Sequence, residues 1–189
     1  MSKSASKPNW NPDRLDIMAM AQAGGSVDGQ DPLAGRARLA DEAFVPDGQL
    51  PATHVSWSAK AQLREGQGAQ AEPWLHLQAA AVIPLCCQRC LQPVDVPLAV
   101  DRWFRFVADE ATAEAQDDEC EEDVLALEPR PSLHELVEDE LLMAVPLVPM
   151  HEVCPQLPPQ LLRDDADDSV TGSRPNPFAA LSGLKRQAD

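Results

Sequence analysis

Two short elements in this chain carry the residue types and the spacing to hold a metal ion. Cys87-Gln-Arg-Cys90 is a Cys-x2-Cys pair, and Met150-His151-Glu-Val-Cys154 supplies a His-x2-Cys pair about sixty residues later. A turn of two intervening residues holds two soft donors a few ångströms apart. Two such pairs, Cys87, Cys90, His151 and Cys154, complete a tetrahedral zinc set. Four protein ligands leave no open position, so the expected zinc is structural. Two other readings stand beside it. Cys87 and Cys90 could form a thiol-disulfide redox pair, although such dithiols usually sit at a helix N-terminus and this pair lies between strand signals. His151 could be a loop histidine satisfied by solvent. Only one of Cys86 and Cys87 can pair with Cys90, because adjacent residues of an extended segment point to opposite sides. Cys87 is assigned to the site and Cys86 to packing, while Cys120, set among carboxylates, is expected to be exposed and unligated.

The elements that must position these pairs are legible in part. Thr53, Val55, Trp57, Ala59, Ala61 and Leu63 alternate with polar residues, the period of a half-buried strand. Leu75, Leu77, Ala79, Ala81 and Ile83 repeat the pattern beyond a Gly-containing connection, so the two runs form an antiparallel hairpin. After the cysteine pair, Val94, Val96, Leu98 and Val100 begin a third, curved strand in which Pro97 favours an edge or a bulge. Ser132-Leu-His-Glu135 is a capping box that opens a helix over 133–145, with Leu133, Leu136, Val137, Leu141 and Ala144 on one face and Glu138 and Asp139 outward. Arg14 to Ala23 holds a short helix within an otherwise loosely patterned first fifty residues.

The expected fold is α+β: a curved, mostly antiparallel sheet over 53–107 with a packed helix, a zinc-knuckle-like Cys/His corner and acidic disordered loops. The expected organisation is a flexible N-terminus over 1–14, one domain over 15–160, and an acidic linker with a basic, apolar C-terminal segment over 161–189. Between Asp109 and Glu128 lie ten Asp or Glu residues without a single Lys or Arg, so 109–128 is expected to be a mobile acidic loop. In the terminal segment Phe178, Leu181 and Leu184 are spaced like a helix face beside Arg174, Lys185 and Arg186. These six residues are candidates for partner binding, or for docking on the chain's own sheet.

Composition narrows the function. The 189 residues carry 15 Lys+Arg against 31 Asp+Glu, a formal charge of −16. Phosphate-backbone binding draws on Lys and Arg to release counterions, so it is excluded over the surface as a whole. A basic face would require Arg102, Arg105, Arg174, Lys185 and Arg186 to gather away from the acidic loop. No export leader and no membrane span are expected, which places the chain in the cytoplasm. In that reducing compartment five cysteines suit metal before disulfides. Phosphate loops, nucleophile elbows and His-Glu-x-x-His helices are missing from the sequence. The carboxylates Glu135, Glu138, Asp139 and Glu140 fit a solvated helix face better than an acid/base pair. No enzyme and no small-molecule substrate are expected.

Three motifs, in this order, resemble the YceD family, named for large ribosomal RNA subunit accumulation. They are Cys87-Gln-Arg-Cys90 after an apolar strand; Leu136-Val-Glu-Asp-Glu-Leu-Leu-Met-Ala-Val-Pro-Leu-Val-Pro-Met-His151 with Cys154 close behind; and Pro175-Asn-Pro-Phe178-Ala-Ala-Leu181 before Leu184-Lys185-Arg186. The likeness runs from about residue 15 to the carboxyl end. It implies a bacterial cytoplasmic factor that supports synthesis, processing or stability of 23S rRNA, with no known enzymatic activity. The partners it implies are the 23S rRNA precursor, ribosomal or assembly proteins, or both. An acidic surface favours the proteins, because they are basic and it would steer them in. A plain acidic decoy for basic proteins is a further alternative.

Overall fold

The computed structural model describes residues 10–155, apart from 66–70, 118–119, 121 and 128–129. Along the chain come α1 (Ile17–Gln22), β1 (Ser26–Pro32), a 3-10 turn (Leu33–Gly35), α2 (Ala37–Asp41), β2 (His54–Glu65), β3 (Ala71–Cys86), β4 (Pro93–Val107), α3 (Glu110–Asp117), β5 (Asp123–Ala126) and α4 (Leu133–Met143). The strands form one open sheet in sequence order. β1 to β4 are antiparallel neighbours, and β5 runs parallel to the end of β4.

The alternation in the sequence is the alternation in space. Val55, Trp57, Ala59 and Ala61 of β2 and Leu75, Leu77, Ala79, Ala81 and Ile83 of β3 are buried on one face. There they pack with α1 and α4 into the main core. Leu75, Leu77 and Ile83 expose nothing, and burial of each contributes about 2 kcal/mol. Pro97 lies where β4 has only β3 beside it, because β5 pairs with Phe104 to Val107 alone. Its missing donor therefore interrupts no ladder on that side.

Three expectations are corrected. The first concerns β1, which lies in the stretch read as a loose lead-in. Its Ser-Val-Asp-Gly-Gln-Asp-Pro sequence has no apolar alternation, and a specific fit to β2 holds it. A Cβ on Gly29 would lie 2.5 Å from the Trp57 ring, so only glycine lets the strands close. The Trp57 indole donates to Asp31 at 2.6 Å, and Arg36 donates to the same carboxylate at 2.5 Å. Burial would raise the Asp31 pKa, but these two donors outweigh it and hold the group below the ordinary carboxylate range.

The second concerns 109–128, which is not a mobile loop over its described residues but contains α3 and β5. Asp109 caps α3, accepting from the Thr112 amide and hydroxyl, both at 2.8 Å. Ala113, Val107 and Val124 form a second small core, with Cys120 packed against it. The cation that compensates the acid comes from β4: Arg105, only 3% exposed, donates to Glu72, Glu122 and Gln116.

The third concerns α4, whose acidic side is not wholly solvated. Ser132 accepts from the Glu135 amide at 3.2 Å, as the capping box requires, and Asp139 is exposed. Glu138 and Glu140, however, are buried. Glu138 accepts from the Leu39 amide at 3.0 Å, so it caps the first turn of α2 from another part of the chain. Glu140 accepts from Arg102 at 3.2 Å; its burial raises its pKa, against the attraction of that guanidinium.

Within the N-terminal stretch read as flexible, the Pro12 carbonyl accepts from the Leu133 amide at 2.7 Å and Trp10 packs on the core. The remainder of that stretch, 1–9, lies outside the described residues, as does 156–189.

Candidate metal centre

β3 carries its buried alternation to Leu85 and ends at Cys86, which leaves Cys87 at the entry to the turn before β4. The turn closes on itself: the Cys87 amide donates to Gln92 O at 3.0 Å and the Leu91 amide to Cys87 O at 2.8 Å. Leu91 has φ 59°, the left-handed conformation that glycine usually supplies. This tight knuckle turns the Cys87 and Cys90 thiols to one side, both buried, while Cys86 points away and is half-buried.

The second pair arrives on the loop after α4. That helix stops at Met143, where the Ala144 amide still donates to Glu140 O, and Pro146 and Pro149 prevent its continuation. Backbone contacts then dock the loop on the knuckle. The Gln88 amide donates to Pro149 O at 2.9 Å. The Arg89 guanidinium donates to the carbonyl of His151 and, at 3.2 Å, to that of Glu152. An arginine between two cysteines of an acidic chain is the one sequence signal for this clamp, and neither the metal nor the redox reading of the pair draws on it.

These contacts bring Cys87, Cys90, His151 and Cys154 together, with their ligand atoms all within 4.8 Å of one another. The sulfurs of Cys87 and Cys154 are 3.9 Å apart, and Cys90 Sγ lies 3.4 Å from His151 Nδ1. A tetrahedron with zinc–sulfur arms of about 2.3 Å has edges of about 3.8 Å, so the donor set and its spacing fit such an ion. No disulfide joins cysteines among the described residues.

The electrostatics of the corner favour a cation. Burial works against a Cys87 thiolate, but the amides of Cys90, His151 and Arg89 point at the sulfur and lower its pKa to about 5. Burial, with Cys90 and Cys87 as neighbours, pushes the Cys154 thiol up to about 11. One thiolate is thus accommodated by the backbone. A second beside it needs positive charge between them, which a divalent ion supplies.

Among the described residues, the two candidate cations Arg102 and Arg105 do not form a basic face. Arg102 donates to Glu140 and Asp123, and Arg105 is enclosed by carboxylates. Cys120, expected to be exposed, is half-buried and accepts from Arg105 Nη2 at 2.9 Å. The terminal candidates Arg174, Phe178, Leu181, Leu184, Lys185 and Arg186 lie outside the described residues.

In comparison with known proteins, a family model described as Large ribosomal RNA subunit accumulation protein YceD matches residues 75–185, more than half of the chain. The matched span takes in both ligand pairs and α4, and it begins later than the resemblance read from the motifs. No solved structure matches the chain.

Proposed function

The chain belongs to the YceD family of large ribosomal RNA subunit accumulation proteins, and from that premise we propose that it is a non-catalytic factor for 23S rRNA. In this reading it works in the bacterial cytoplasm, supports synthesis, processing or stability of that RNA, and does so through protein partners. The observation that carries the last clause is the ion pairing of Arg102 and Arg105 with Glu140, Asp123, Glu72 and Glu122. It leaves these two arginines neutralised in a chain of net charge −16, where phosphates would need free cations. Zinc held by Cys87, Cys90, His151 and Cys154 would be structural: it would clip the β3–β4 turn to the loop after α4. A strain lacking the gene should lose 23S relative to 16S rRNA and regain it from a plasmid copy; an unchanged ratio would remove the proposal.

A second reading has one observation in its favour. A Cys87 thiol with a pKa of about 5 and a sulfur 3.9 Å away on Cys154 suit dithiol exchange. Metal analysis combined with thiol titration separates the two. About one bound zinc with protected thiols supports the structural site, whereas a metal-free protein with a reversible disulfide supports redox chemistry.

A further inference from the structure

The geometry points to an apolar crest at the metal corner as the docking surface for a basic protein segment that presents apolar side chains flanked by Lys or Arg. Eight large apolar side chains are exposed among the described residues, and five belong to this corner: Leu91, Leu147, Val148, Met150 and Val153. Leu147 is 98% exposed, Val153 86% and Leu91 59%. Single apolar residues scattered over a surface need no explanation, but a concentration on two adjoining loops marks a contact site.

The crest is also held in place. Leu91 directly follows the ligand Cys90, and Met150 and Val153 each adjoin a ligand of the second pair. Gln88 and Arg89 bind the backbone of Pro149, His151 and Glu152. Leu91 takes a left-handed conformation that glycine would adopt without strain, and it takes it at the tip of the knuckle, where its side chain meets solvent.

Charge selects the occupant. Glu152 lies between Met150 and Val153, and Asp41 and Glu42 line a groove of about 380 Å³ that reaches Leu147. Arg89, the cation of the knuckle, is turned to the carbonyls of His151 and Glu152. An apolar surface with an acidic rim attracts a basic protein and repels both RNA and an anionic membrane. This assignment rests on the reading that the chain acts through protein partners, and it names the surface through which it does so.

The test is photocrosslinking in cells from the full chain, with p-benzoylphenylalanine at position 147 or 153 and, as a control, at Lys60 on β2. The expected product from 147 and 153, absent from 60, is a covalent adduct to a basic protein of the large subunit, identified by mass spectrometry. Leu91→Gly should keep its metal and its melting temperature while lowering the adduct yield about tenfold, and Val148→Ser should do likewise. Adducts to a second copy, to RNA or to lipid overturn the assignment. So does an absence of adducts, or a yield unaffected by both substitutions. Crest variants that keep their metal, form no adduct and still restore 23S rRNA in the deletion strain defeat this inference alone. A deletion with a normal 23S:16S ratio defeats the reading beneath it.

Discussion

The β3–β4 hairpin is tied down at both ends, by opposite means. At the turn, three thiols and an imidazole converge, a donor set that no Lys or Arg side chain among the described residues enters. At the far end, about 40 Å along β3 at 3.3 Å per residue, carboxylates converge on a guanidinium that β4 itself supplies: Arg105 is ringed by Glu72, Glu122, Gln116 and Cys120. Burial opposes the charge on Arg105, yet Glu72 and Cys120 beside it raise its pKa all the same. Each cluster joins segments distant in sequence, the post-α4 loop to the knuckle in one case and α3 with its connection to β5 in the other. The difference lies in where the cation comes from. A cluster with its own arginine is complete once the chain has folded, whereas a cluster of soft donors is one that could take its cation from outside the chain.

If the proposed zinc is held at the turn, its removal should produce the largest change. Chelation, or Cys154→Ser, is expected to take bound metal from about one per chain to near zero. Amide exchange should then accelerate in 87–92 and 145–154 while β2 and the Arg105 end keep their protection. Acceleration spread evenly over the sheet would erase the contrast between the two ends. Next in size is Arg105→Met, which leaves Glu72 and Glu122 facing each other and should cost about 3 kcal/mol, measurable by urea denaturation, with metal content unchanged. Arg105→Lys should recover only part of that loss, since an ammonium cannot reproduce the fork. A metal-depleted Arg105→Met variant would show that the ends are coupled after all.

The smallest effect concerns the neighbouring Arg102–Glu140 pair. Glu140 has a folded pKa above its ordinary value, so its contribution to stability is full below about pH 4.5 and is lost as the pH rises through the folded value. Glu140→Gln should therefore gain on the parent protein as the pH goes from 4 to 7, by a few degrees of Tm at most. A gap that stays constant across that range would mean that Glu140 is not the titrating group.

The same contrast decides what could be read before the fold was known. Cys-x2-Cys and His-x2-Cys are local spacings, and β2, β3, β4 and α4 announce themselves through alternation and a capping box, so the convergence of the four Cys and His residues and its main supports are legible in the sequence. Nothing local announces the arginine cage. Glu122 and Asp123 look like part of a self-repelling run until Arg105 and Arg102, which precede them on β4, come to pair with them. Glu138 and Glu140 likewise look solvated until their partners come in from Leu39 and Arg102. β1 has no signature of its own because its place depends on Gly29 making room for Trp57, a fit between two strands and not a pattern within one. Spacing reveals groups that share a turn; it is silent on groups that meet only through the sheet.

Because the chain has no tyrosine, its intrinsic fluorescence belongs to four indoles alone. Trp74 and Trp103 flank the Arg64 guanidinium at the far end of the hairpin, at 4.4 and 3.9 Å, Trp57 sits under β1, and Trp10 packs near α1. None belongs to the knuckle or to the post-α4 loop. Emission is accordingly a reporter of the sheet that is nearly blind to the thiol corner, and it would be much the same whether or not those four donors hold an ion.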